Sequence, residues 1–142
     1  MSVFELSFMN KFGPEKNTVK EFEHWIVTLR EKQVTLGACI FTLKRNVASM
    51  SEINEDEATE LNLVFSWYES KMKLLFGAEK FNYVVAMMKD NFVHYHAFPR
   101  YSMPIAKYGI QWNDQDWPKV VAFRNVMVER EILDLIISEI KK

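Results

Sequence analysis

One cysteine, Cys39, serves the whole chain, so no intramolecular disulfide can staple the fold. No basic, apolar leader opens the sequence, and the expected setting is the reducing cytoplasm. Charge of neither sign dominates: 18 Lys and Arg against 19 Asp and Glu leave a net charge of −1. That excludes the basic footprint expected of a protein that binds nucleic acid polymers. Long apolar runs are missing too. Phe4, Leu6, Phe8 and Met9 are interrupted by Glu5, and no stretch approaches the roughly 20 residues a membrane span requires. There are no internal repeats and no low-complexity segments.

What is there fits an ordinary globule: 49% hydrophobic and 26% charged residues in 142, enough for one domain over 1–142 with a sizeable core. Aromatics reach 14%, with four tryptophans, which suits a core with an added protein or ligand surface.

Taken in order, Lys11–Asn17 has a loop composition, with Gly13-Pro14 at its centre. Thr18 and Glu21 have the spacing of a capping box, and Phe22, Trp25, Ile26 and Leu29 follow at helical spacing, so a helix is expected over 19–30. His24 lies beside that stripe. Residues 36–43, rich in apolar and branched side chains, are expected to form a buried strand. Asn54 then caps a helix whose first turn is Glu55-Asp56-Glu57. Its apolar stripe runs Leu61, Phe65, Tyr68, Met72, Leu75, and Gly77 supplies the stop. A strand over 81–88, a turn at Lys89-Asp90-Asn91 and a second strand from Val93 should pair antiparallel, because so short a link cannot make a parallel crossover. Residues 100–119 are expected to be irregular, with Trp112 and Trp117 as packing or dimer contacts. A final helix over about 127–141 carries Leu133, Ile136, Ile137 and Ile140 on one side. The order indicates α+β.

The chemistry concentrates in Val93-His94-Tyr95-His96-Ala97-Phe98-Pro99-Arg100-Tyr101. On a strand, residues two apart share a face at roughly 6–7 Å, so His94, His96 and Phe98 point one way and Val93, Tyr95 and Ala97 the other. Three uses of such a pair stand open: packing, metal binding and nucleophilic catalysis at phosphorus. A catalytic zinc needs three protein ligands; the third histidine, His24, has no ligand spacing to the pair, so a carboxylate such as Asp90 would have to complete it. In the phosphorus chemistry one imidazole attacks and forms a covalent phosphoramidate while its neighbour stabilises the growing charge.

The stretch resembles the signature of the histidine triad (HIT) superfamily, His-φ-His-φ-His-φ-φ, in the branch that continues Pro-Arg-Tyr. The resemblance extends over about residues 25–105. Gln33-Val34-Thr35-Leu36-Gly37, Leu43-Lys44-Arg45-Asn46, Ser51–Glu57, Phe81-Asn82-Tyr83 and Met87-Met88-Lys89-Asp90 are similar to the corresponding regions of bacterial HIT proteins of the diadenosine polyphosphate hydrolase type. Residues 106–142 add an irregular segment and the C-terminal helix. Aligned on Pro99-Arg100, His94 falls on the family's nucleophile and His96 on the histidine that contacts phosphate. Phe92 stands where the first histidine, which orients the nucleophile, should be. Ala38, after the strand glycine, stands where relatives often have histidine.

The resemblance implies a HIT-like α+β fold with an antiparallel sheet, the long helix across it and a homodimer. It implies hydrolysis or transfer of a nucleotidyl group from a dinucleoside polyphosphate or nucleoside phosphoramidate, with His94 and His96 catalytic and no cofactor or protein-bound metal. Asn82, Arg100, Gln33 and Phe92 are the implied nucleotide-binding positions, with Glu31 beside Gln33 in the ribose loop. Loss of the first histidine leaves a second expectation: a weakly active or inactive relative that binds or senses a nucleotide.

Overall fold

The computed structural model describes residues 2–142. Its centre is a five-stranded antiparallel sheet, with spatial order β1-β2-β3-β5-β4. The strands are β1 (Thr18–Glu21), β2 (Trp25–Leu29), β3 (Cys39–Leu43), β4 (Lys80–Val84) and β5 (His94–Arg100). The histidine strand lies between β3 and β4, with Ile40 opposite His96 and Thr42 opposite His94 on one side. On the other side Asn82 is opposite Phe98 and Val84 opposite His96. β5 continues through Pro99 to Arg100, the first residue of the stretch expected to be irregular. Pairing with β3 ends at Ala97, so Pro99 has only β4 alongside and its missing N–H breaks no ladder on that open side.

The expected helix over 19–30 is a β-hairpin. Thr18 does not cap a helix but donates its hydroxyl hydrogen to the Pro14 carbonyl, and Phe22 N–H to the Trp25 carbonyl closes the turn. The run Trp-Ile-Val-Thr-Leu satisfies a period of two as well as one of 3.6. Its β-branched residues favour the pleat, and five registered pairs with β3, Trp25↔Leu43 to Leu29↔Cys39, decide it. Trp25, Val27 and Leu29 join the main core.

That core lies between one face of the sheet and α3 (Glu55–Phe76), whose Asn54–Glu57 capping box and left-handed Gly77 are as the sequence indicated. Tyr68 is fully buried and donates its hydroxyl hydrogen toward the carbonyls of Gly37 and Ala97, pinning the helix to β3 and β5. At Gly37 (φ +90°) a Cβ would meet Met72 Sδ at 2.6 Å, so the helix approaches the chain as closely as glycine allows. Arg45 fastens the end of β3 to the start of α3 through two 2.9 Å hydrogen bonds to the buried Glu57 carboxylate.

The opposite face carries the histidines. Across it lies α1 (Val3–Phe12), where Ser2 and Glu5 form a capping box, and Gly13 (φ +51°) turns the chain into the single turn α2 (Pro14–Asn17). The strand expected over 81–88 ends at Val84, and the positive φ of Met87 bends the chain into a loop before β5. Within the expected irregular stretch β6 (Ile105–Lys107) and β7 (Ile110–Trp112) make a small hairpin with Trp112 buried. Residues 113–129 form an irregular strap with a turn at 115–118, and α4 (Arg130–Lys141) buries Leu133, Ile136, Ile137 and Ile140. No helix among the described residues is long and apolar enough to cross a membrane.

Candidate functional site

The strand pleat places His94 and His96 side by side, ring centroids 5.0 Å apart and nearly perpendicular. His94 Nδ1 lies 2.8 Å from the Phe92 carbonyl. A carbonyl only accepts, so Nδ1 must carry the proton, and the neutral ring keeps its lone pair on Nε2. Phe92 therefore orients His94 through its main chain, a device that the side-chain letter at position 92 did not reveal. Its ring is 3% exposed and packs against Phe4, Phe12 and His94, so it supports the pair from beneath rather than facing a ligand. His94 is also 3% exposed.

His96 is in a different environment. Its Nδ1 is buried without a hydrogen-bond partner, and Phe123 of the strap meets its ring edge-to-face at 5.0 Å. Burial first, then the charge of Arg30 and the neighbouring His94, push its pKa down to about 3. The pair thus combines an imidazole with a fixed tautomer and one held neutral at cellular pH. Two further hydroxyls on this sheet face, Thr28 Oγ1 and Thr42 Oγ1, are also buried without a partner. An unsatisfied buried donor costs roughly 1–3 kcal/mol.

The remaining expected positions are drawn into the structure's own networks. Arg100 is 3% exposed and makes a two-pronged ion pair with Asp114, at 2.6 and 3.0 Å. Its third contact is with Asn82 Oδ1 at 2.6 Å, and that oxygen also accepts from Val121 N–H. Arg100 and Asn82 therefore tie the strap to β5 and β4. Gln33 uses its amide on the Arg30 and Ala38 carbonyls and the Gly37 N–H, shaping the turn after β2. Glu31 holds Asn17 and lies 3.7 Å from both Lys16 and Arg130. Trp112 donates its indole N–H to Lys107 within the small hairpin.

No family model matches the sequence, and no curated protein does. Solved structures do match. A histidine triad protein from Marinobacter aquaeolei VT8 superposes with a TM-score of 0.73 at 17% identity, over 93% of this chain and 90% of that one. A hypothetical histidine triad nucleotide-binding protein from Sulfolobus tokodaii strain 7 gives 0.69 at 20%, over 99% and 89%.

This is the histidine triad fold.

A zinc-bound histidine triad family protein from Mycobacterium smegmatis shares the fold with a TM-score of 0.61 at 15% identity, over 87% of this chain and 82% of that one. In the present chain Glu23, His24 and Glu60 bring three ligand atoms within 4.8 Å. Glu23 and His24 belong to the β1–β2 turn and Glu60 to α3, and Glu60 already accepts from the His24 and Trp25 N–H groups.

Arg30 is the residue that sequence reasoning missed. It follows β2, and its N–H bonds the Ala38 carbonyl. Its guanidinium lies 5.1 Å from the ring centres of both Phe98 and Phe123. The sequence signal was faint: an arginine two positions after Thr28, on the histidine face only once β2 is read as a strand.

Proposed function

We propose that the chain binds a nucleotide through its phosphates at His94 and His96, and that it hydrolyses or transfers the nucleotidyl group by way of a bond to His94. The observation that carries this is the hydrogen bond from His94 Nδ1–H to the Phe92 carbonyl, which leaves a directed lone pair at Nε2 beside a neutral imidazole. The lone pair attacks the α-phosphorus; an N–P bond forms as the bond to the leaving group breaks, and the leaving phosphate departs with the electron pair. The positive charge that develops on the His94 ring is met by the Phe92 carbonyl. His96 donates a hydrogen bond to the phosphoryl oxygens. Water, losing a proton to solvent, or another acceptor then attacks phosphorus, and the N–P electron pair returns to Nε2. Arg100, Asn82 and Gln33 act mainly by positioning, since their internal bonds hold the strap and the Arg30 turn. A homodimer in the cytoplasm, as a single domain, belongs to the same proposal.

A second function is favoured by one feature: His94 is nearly inaccessible beneath α1, whose Phe12 ring lies 5.6 Å from the imidazole. A nucleotide sensor without turnover needs only the binding face. Incubation with diadenosine tetraphosphate and with adenosine phosphoramidate, followed by chromatography of the products, separates the two. Turnover that disappears in His94→Ala supports the enzyme; AMP binding with no turnover of either compound supports the sensor. Wild-type turnover retained in His94→Ala contradicts the proposed role of His94.

A further inference from the structure

Arg30 has no carboxylate partner among the described residues. Its single side-chain hydrogen bond is a long one, 3.4 Å to the Lys32 carbonyl. The adjacent Glu31 is occupied with Asn17 and lies near Lys16 and Arg130, and the strap's Asp114 and Asp116 are held by Arg100 and by Arg124 with the Ala122 N–H. The ring centres of Phe98 and Phe123 are themselves only 5.4 Å apart, so the guanidinium rests against both rings from one side, losing water from that face while its N–H edge stays available. Here burial pushes its pKa down to about 10, a desolvation that an anion would relieve. Phe123 touches both Arg30 and His96, so the charge and the imidazole flank one ring.

We propose that Arg30 is the second anion contact of the site, binding a phosphate adjacent to the one held by His94 and His96, and that the ligand is therefore a polyphosphate chain. The proposal rests on the phosphate site described above and selects between its two substrate classes. A phosphoramidate has one phosphate and offers Arg30 nothing; a di- or polyphosphate offers its next group. The leaving groups agree with this choice. An amine must take up a proton as it departs, and a neutral His96 supplying it would be left as an imidazolate. A phosphate leaves as an anion and needs only a hydrogen bond and a positive charge, which Arg30 provides.

The test titrates inorganic phosphate and inorganic pyrophosphate into the protein while the imidazole signals of His94 and His96 are followed by NMR. Wild type is expected to bind pyrophosphate at least about tenfold more tightly than phosphate, because the second phosphate adds a charge-assisted contact. Arg30→Met keeps an unbranched stem against Phe98 and Phe123 and should reduce that ratio to near one with phosphate affinity little changed. Lys32→Met makes the same charge change on an exposed neighbour and should leave the ratio intact. Thermal melts establish that Arg30→Met is folded, and Arg30→Lys, expected to retain part of the preference, is the variant read if it is not. An unchanged ratio in Arg30→Met, or in Arg30→Lys an unchanged ratio with a loss in Lys32→Met, overturns the Arg30 site and leaves the histidine site standing. Absence of any phosphate or pyrophosphate shift at the two histidines overturns both.

Discussion

His94 and Phe92 are joined by one hydrogen bond, from the imidazole Nδ1–H to the main-chain carbonyl two residues back, at 2.8 Å. The bond depends on backbone geometry, so the side chain at position 92 is not needed to orient His94. The Phe92 side chain does separate work, packing in a small aromatic cluster with Phe4 and Phe12. Phe92→Ala is expected to lower stability by about 3–5 kcal/mol, as for other buried aromatic truncations, while His94 keeps its proton on Nδ1. Denaturant unfolding measures the first and nitrogen NMR of the imidazole the second. A switch of His94 to the Nε2–H tautomer would mean that the ring, not the carbonyl, sets its orientation.

The strap depends on a buried ion pair. Arg100 and Asp114 have side chains 3% and 1% exposed, and breaking such a pair from one side costs roughly 3–5 kcal/mol, because the remaining charge is left uncompensated. Asp114→Asn is expected to destabilise the protein within that range and to expose residues 115–125 to limited proteolysis. Cleavage there at the wild-type rate would show that Asn82 and Val121 hold the strap without the ion pair.

Much of this was legible in the chain. The α3 helix announced itself because Asn54, Glu57 and Gly77 supply local signals that tertiary contacts did not have to overrule. The face shared by His94, His96 and Phe98 followed from strand alternation alone. The hairpin of β1 and β2 was missed because Trp25, Ile26 and Leu29 fit the helical period while Trp25, Val27 and Leu29 fit the strand period, and only pairing with β3 separates them. That error also hid Arg30, which belongs to the histidine face only if Thr28 and Ile26 do. The internal roles of Arg100 and Asn82 depend on Asp114 and Val121, partners remote in sequence that no local pattern announces. Phe92 looked like a lost function because a sequence displays side chains, while the carbonyl that orients His94 is common to every residue.

The pH dependence of stability carries the signature of His96. Its folded pKa is about 3 against an ordinary 6.5. Between those values the unfolded chain binds a proton that the folded chain refuses. The stabilisation is fully present above pH 6.5 and is lost as pH falls towards 3, at no more than about 1.4 kcal/mol per pH unit for one proton. Chemical denaturation between pH 6.5 and 5, above the range where carboxylates dominate, should show stability falling with acid, and His96→Gln should flatten the slope. An unchanged slope in His96→Gln would assign the dependence elsewhere.

The most direct measurement is mass spectrometry of the protein quenched during reaction with diadenosine tetraphosphate, in wild type and in His96→Ala, where breakdown of the intermediate should be slowed. An adenylyl group on the peptide containing His94, absent from His94→Ala, is the expected result. Turnover with no adduct on His94 in either protein, or an adduct that persists in His94→Ala, would contradict nucleophilic attack by His94.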